Sequence, residues 1–283
     1  MPVVDAHQHF WRHGERAHAW PAAATAALSR DFTPAELRAA MGEAEVDGTI
    51  LVQSLNDAEE TEAFLDLAGE TTWILGVVGW AALDEPRRLA DRLAALRRRS
   101  HKLIGLRHLV NFEPDPRWLL RPEVREGLDV LAASGLAFEV VPTDPARFEA
   151  ALEAAASRPA MPVVIDHLAR PPAEATGWQP WAALIERAAA LPNTRIKLSV
   201  GLDLALGWRW SPDALRPYVE HVLRCFGPRR VLAASNWPVS LLAGGYASLW
   251  AGYRALLAHL PPAERDAVLG GNALDLIRAL EPA

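Results

Sequence analysis

One feature constrains this chain more than any other: short, nearly continuous apolar runs recur along its whole length. They are Val3–His7, Gly48–Gln53, Trp73–Trp80, Leu103–His108, Leu136–Val141, Pro162–His167, Thr194–Ser199 and Arg230–Ser235. Runs of this kind are what parallel strands buried on both faces require. Longer stretches rich in Ala, Leu, Arg and Glu separate them and carry helix signals. Thr33, Pro34 and Glu36 in "TPAELRAAMGEAEV" have the order of a capping box with proline at the first helical position. "DEPRRLADRLAALRRR" spaces Leu89, Leu93 and Leu96 on one face, with Asp84 as its expected cap. "RPEVREGLDVLAASG" stops on Gly135, and "DPARFEAALEAAASRP" stops before Pro159.

Eight strands, each followed by a helix, predict an α/β chain folded as a (β/α)8 TIM barrel. With no linker or composition break, residues 1–283 are expected to form a single domain. A doubly wound sheet is the competing arrangement, but it normally places a glycine-rich phosphate loop after a strand, and no G-x-G-x-x-G is present. The segment Arg12–Asp31 is the longest irregular piece and is expected to lie over the active rim as a loop. The tail is expected to be one helix interrupted at Gly270–Gly271.

Composition narrows the function. A hydrophobic fraction of 51% supports a large core. A net charge of −6 argues against a nucleic-acid partner, which favours a basic face. Cys225 is the sole cysteine, so neither an internal disulfide nor a cysteine-rich metal site is possible. The start has no basic and then apolar leader, and the apolar runs fall short of the ~20 residues of a membrane span. The expectation is a cytoplasmic protein with a small-molecule partner. The sequence is silent on oligomeric state.

In such a barrel, chemistry belongs at the C-terminal ends of the strands. Those ends carry His7, Gln8 and His9, then Gln53, Arg107 and His108, Glu139, Asp166 and His167, Lys197 and Ser199, and Ser235 and Asn236. Leaving so many polar groups buried and unpaired costs several kcal/mol each, so they point to a polar pocket. His7 and His9 are two apart on a strand and face the same side. That suits one divalent metal, zinc or manganese, or else a hydrogen-bonded pair that holds substrate. His167 is expected to face the pocket and its neighbour Asp166 the opposite side. Arg107 fits a fixed cation for a carboxylate or a polarised carbonyl, with His108 turned the other way if the strand stays regular. Glu139 and Lys197 either pair inside the barrel or touch substrate. Trp20, Trp80 and Trp237 are candidate pocket walls.

The segments "VVDAHQHFW", "GVVGW", "GLRHL", "VVIDHLARP", "RIKLS" and "SNWPVSLLAGGY" together resemble the amidohydrolase (metal-dependent hydrolase) superfamily. More narrowly they are similar to its lactonase branch, which includes L-fuconolactonase, L-rhamnonolactonase and 2-pyrone-4,6-dicarboxylate lactonase. The resemblance runs from Val3 to about Ile277. It implies a barrel that hydrolyses a cyclic ester, with His7 and His9 as metal ligands where a metal is bound, and His167 in a catalytic role. A metal-free mechanism is the alternative within the branch.

The strand-eight motif of that branch is Ser-Asp-Trp-Pro; this chain has Ser235-Asn236-Trp237-Pro238. The resemblance assigns the aspartate the role of general base, and an amide takes no proton near neutral pH. The expected reaction is hydrolysis of a sugar-derived lactone, such as L-fuconolactone or L-rhamnonolactone, to the open-chain acid, impaired by Asn236. Substrate contacts fall to Arg107, His108, Glu139, Lys197, Trp20 and Trp237. Two alternatives stand: a hydrolase or decarboxylase acting on another cyclic ester, amide or carboxylate with Asn236 as its natural residue, or a non-catalytic ligand-binding barrel.

Overall fold

The computed structural model describes residues 1–172, 178–201 and 211–281. Eight parallel strands follow one another around a single sheet in chain order. They are β1 (Val4–Gln8), β2 (Gly48–Val52), β3 (Ile74–Gly79), β4 (Leu103–His108), β5 (Ala137–Val140), β6 (Val163–Ile165), β7 (Thr194–Leu198) and β8 (Val231–Ala233). Helices pack outside them: α1 (Ala22–Leu28), α2 (Pro34–Ala44), α3 (Ala58–Glu70), α4 (Pro86–Arg99), α5 (Pro122–Ala133), α6 (Pro145–Ala156), α7 (Trp178–Ala189), α8 (Pro212–Phe226), α9 (Tyr246–Leu256), α10 (Pro262–Asp266) and α11 (Asn272–Leu280). This is a (β/α)8 barrel.

The barrel closes through the residues just past β1 and β8. Asn236 N donates to His7 O and His9 N donates to Trp237 O, both at 2.8 Å. At the opposite end the interior is apolar. Val4, Ala6, Ile50, Val52, Val78, Ile104, Ala137, Val164, Leu232 and Ala234 form one cluster with Ala273, Leu276, Ile277 and Leu280 of α11. The C-terminal helix therefore plugs the floor. Its approach depends on Gly270, where a Cβ would sit 2.1 Å from the Pro2 carbonyl oxygen.

Local signals account for most helix starts. Asp144 accepts from Arg147 N at 2.9 Å, and Ser211 from Ala214 N at 3.1 Å. Thr33 accepts from Glu36 N, but the Glu36 carboxylate pairs with Arg30 instead of reaching back, so half of the capping box forms.

The structure differs from the sequence expectation in four places. The first is α1, a helix inside the segment expected to be irregular; it has no side-chain cap and is built almost wholly of alanine. The second is α3, a helix that the alternation implies but for which no sequence pattern stands out, although Asp57 caps it through Glu59 N and Glu60 N at 2.7 and 3.1 Å. In the third, Glu85 rather than Asp84 precedes α4, without a side-chain cap. In the fourth, the tail stays helical through Gly270–Gly271 by widening into a π turn, Ala267–Gly271.

Candidate active site

Strands β1 and β4 reach the site with an extra residue. β1 inserts one relative to β2 between Asp5 and Gln8, and β4 one relative to β3 between Leu103 and Gly105. A bulge shifts which face the following side chains present. Val4 and Ala6 line the apolar floor, yet His7 also points inward; Ile104 lines the floor and Arg107 points inward above it. Strand β6 ends at Ile165, and His167, Leu168, Ala169 and Arg170 all take left-handed backbone with φ of 53°, 52°, 56° and 51°. That conformation costs roughly 1–2 kcal/mol per non-glycine residue. The turn is held by Trp181 Nε1 donating to Leu168 O at 2.8 Å, and by Arg170 N donating to His167 O at 2.8 Å. Asp166, extended and two residues past inward-facing Val164, points inward by strand alternation, which corrects the expectation that it faces the opposite side; the left-handed turn that starts at His167 brings that imidazole to the same cleft.

These inward groups form one buried network. Asp166 lies 3.0 Å from Arg107 Nη1 and 3.2 Å from both Lys197 Nζ and His7 Nδ1. Lys197 Nζ also donates to Glu139 Oε2 at 2.6 Å. Burial opposes ionisation of Asp166, but Lys197, His7 and Arg107 outweigh it and hold the carboxyl well below its ordinary range. Glu139 is pushed up to about 7 by burial, against the pull of Lys197. Burial first, with Arg107 adding to it, keeps His9 neutral; burial also lowers His7 and takes His167 down to about 3.

The hydrogen-bond partner of His9 fixes its imidazole proton. His9 Nδ1 is 2.7 Å from the Val52 carbonyl, which only accepts, so Nδ1 carries the proton and Nε2 a lone pair. His7 Nδ1 lies between a donor, Lys197 Nζ at 3.1 Å, and an acceptor, Asp166 Oδ1 at 3.2 Å; with the proton on Nδ1 it donates to Asp166, and Nε2 presents a lone pair to Arg107 Nη1 at 3.2 Å. The two Nε2 atoms face each other at 3.1 Å, and in that tautomer both carry lone pairs. A cation relieves that juxtaposition. Two zinc–nitrogen bonds of ~2.0–2.1 Å span about 3.3 Å at a tetrahedral angle, close to the observed gap. The ligand atoms of His7, Asp166 and His167 also lie within 4.8 Å of one another. Nitrogen donors with a nearby carboxylate suit zinc or manganese, so these residues fit a divalent ion.

A cleft of about 310 Å³ opens above this network, lined by His9, Trp20, Arg107, His167, Arg170 and Asn236 among others, with Leu109, Phe112, Val141 and Val239 as apolar wall. His167 Nδ1 is 2.8 Å from Ser199 Oγ. Asn236 sits at φ 55°, which asparagine tolerates, and its Nδ2 donates to Val200 O at 2.9 Å. Trp20 reaches the mouth stacked on His18 at 5.2 Å, and His18 in turn meets Ser54 Oγ at 2.8 Å.

Other candidates lie elsewhere. Lys197 and Glu139 are below the cleft and bonded to each other. His108 points away: it stacks on Trp118 at 4.0 Å, accepts from Trp80 Nε1 at 3.1 Å and donates to Glu113 at 2.8 Å. Trp237 is buried behind the sheet, 5.8 Å from Phe10 and 5.4 Å from Phe32, and Trp80 lies beside His108. Sequence reasoning passed over Asp5, although it lies two residues before His7. Its carboxylate accepts from Ser235 N at 2.8 Å, Ser235 Oγ at 2.5 Å, Tyr246 OH at 2.9 Å and His7 N at 3.1 Å. Burial pushes it up to about 6 despite those donors.

Among the described residues, no helix is long and apolar enough to cross a membrane. A family profile described as Amidohydrolase matches residues 4–279. The chain is 37% identical over 289 residues to an L-fucono-1,5-lactonase of Burkholderia ambifaria, covering 99% of this chain and 96% of that protein. It is 34% identical to an L-fucono-1,5-lactonase of Burkholderia multivorans, over 99% and 97% of the two chains. A zinc-bound amidohydrolase from Burkholderia multivorans superposes with a TM-score of 0.90 at 30% identity, covering 98% of this chain and 99% of that one.

Proposed function

The chain belongs to the amidohydrolase family, and from that premise we propose that it hydrolyses a sugar-derived lactone to the open-chain acid. The observation that carries the reading is the cleft itself: His9, His167, Arg107 and Asn236, from four different strand ends, line one opening on the active rim. The two fuconolactonases, similar over nearly their full length, support a sugar lactone as substrate.

Ring opening needs a nucleophilic water, positive charge or donors for the carbonyl oxygen as it becomes anionic, and a proton for the leaving alkoxide. Arg107 supplies fixed positive charge at the cleft, anchored by Asp166 and the Gln53 carbonyl. Asn236 orients the water through its side-chain oxygen, since its nitrogen is committed to Val200 O. The water's proton passes to His167, and the imidazolium, made strongly acidic by burial, gives it on to the leaving alkoxide. His7 and His9 would hold a divalent ion, which on binding supplies Lewis acidity toward the carbonyl or the water. Without a carboxylate at position 236, turnover is slowed by about 10²–10⁴-fold.

The Asn236–Val200 bond favours a second reading, in which the amide is integral and the substrate is another cyclic ester or amide. One experiment separates the two: a panel of aldonolactones assayed by acid release, on the chain as it stands and on Asn236→Asp. A rate gain in the variant supports impaired lactone hydrolysis. A rate loss supports the integral amide. No acid release by either protein on any lactone sinks the proposal.

A further inference from the structure

Arg107 faces the same lone pair that a divalent ion would use. Its Nη1 lies 3.2 Å from His7 Nε2, and that nitrogen is 3.1 Å from His9 Nε2. An imidazole nitrogen has one lone pair, directed in the ring plane, so it serves the guanidinium or a metal but not both fully. Arg107 is not free to drift away. Nη1 is bonded to Asp166 Oδ2 at 3.0 Å, Nη2 donates to the Gln53 carbonyl, Gln53 Nε2 donates back to Arg107 O at 3.0 Å, and the side chain is buried.

We propose that Arg107 is the resident cation of the His7–His9 pair and competes directly with a divalent ion for it. In the tautomer with the proton on His7 Nδ1, the guanidinium satisfies His7 Nε2 and leaves His9 Nε2 facing it. A divalent ion entering between the two nitrogens breaks the Arg107–His7 hydrogen bond and sets like charges a few ångströms apart in a buried site. Asp166 offsets part of that repulsion because it already touches both Arg107 and His7. Lys197, also against Asp166, adds to it. The cleft keeps positive charge in both states, and Arg107 sets how much divalent ion is needed to exchange one cation for the other.

The test is the affinity of metal-stripped protein for zinc ion alone, by competition with a chromophoric chelator at fixed pH. No substrate is involved, so failure of the lactone reading leaves it standing. Arg107→Gln keeps a donor for Asp166 and removes the charge; it is expected to bind zinc at least about tenfold more tightly than the unaltered chain, since unit charges at such distances interact by more than that factor even when partly screened. Arg107→Lys, which retains the charge, stays within a few-fold of the unaltered chain. His9→Gln abolishes the tight binding in every background. Equal or weaker zinc binding by Arg107→Gln overturns the proposal, as does equal tightening by Arg107→Lys. If Arg107→Gln does not fold, the unaltered protein decides by NMR. The slowly exchanging Arg107 guanidinium signal, assigned by its absence from Arg107→Lys, shifts on adding one equivalent of zinc. A signal that zinc leaves unmoved overturns the proposal.

Discussion

Asp5 and Ser235 are joined twice: one carboxylate accepts both the backbone N–H and the hydroxyl of a serine 230 positions further along the chain. Ser235 Oγ then accepts from Trp237 N at 2.9 Å, so the pair fixes the backbone on both sides of Asn236. Removing the carboxylate strands several buried donors, each worth about 1–3 kcal/mol when unsatisfied. Asp5→Ala is expected to lose roughly 3 kcal/mol or more, Tyr246→Phe about 1 kcal/mol. Urea unfolding of both variants checks the ranking; equal losses would contradict it.

Asn236→Asp changes two quantities that are measured separately. The Val200 carbonyl loses its donor and meets a carboxylate oxygen instead, which is expected to lower stability by about 1–2 kcal/mol. Catalysis of lactone opening is expected to rise, because a base is restored. A thermal melt and a rate measurement on the same sample read the two effects, and a variant that is both more stable and slower contradicts both expectations.

His108 makes a pH prediction with a defined sign. Burial lowers it below the usual histidine value, with Glu113 opposing, and Trp80 Nε1 donates to Nδ1 only while that nitrogen is unprotonated. Below about pH 6.5 the unfolded chain takes up this proton and the folded one does not. The stabilisation is therefore complete above that pH and is lost as pH falls toward the depressed folded value. Denaturant titrations from pH 5 to 8 are expected to show a smaller acid-side loss in His108→Gln than in the unaltered protein.

The Lys197–Glu139–Asp166 cluster is expected to be asymmetric. Lys197→Met leaves two buried carboxylates without their shared cation, a change expected to cost about 3–5 kcal/mol. Adding Glu139→Gln to that variant removes one of the stranded charges and is expected to recover part of the loss. Equal stability of the single and double variants would show that Glu139 is already neutral.

Strand positions were legible in the sequence because parallel strands buried on both faces must be apolar throughout, and boundaries fell within two residues of the observed ones for most of them. That His7 and His9 share a face follows from period two alone. The placement of His167 beside Asp166 does not, because it depends on four consecutive left-handed residues that no glycine announces. Bulges in β1 and β4 are equally silent in sequence, although they decide what Arg107 and His7 face. Helix α3 was legible in retrospect from Asp57 and the acids behind it, whereas the alanine-built α1 offers no stripe to read. Trp237 illustrates the remaining difficulty: an aromatic beside a site residue on a strand end points to the opposite face and packs behind the sheet.

The seam where the barrel closes has a kinetic consequence. His7 and Asn236 meet only when the first strand and the eighth come together, and the floor is complete only when α11 docks against Val4 and Ala6. Such distant pairings carry the largest loop-closure entropy and form slowly. The cleft and the closed ring are thus one event. In a refolding time course, helical signal should return well before any capacity for turnover, which waits on the joining of residues from opposite ends of the chain.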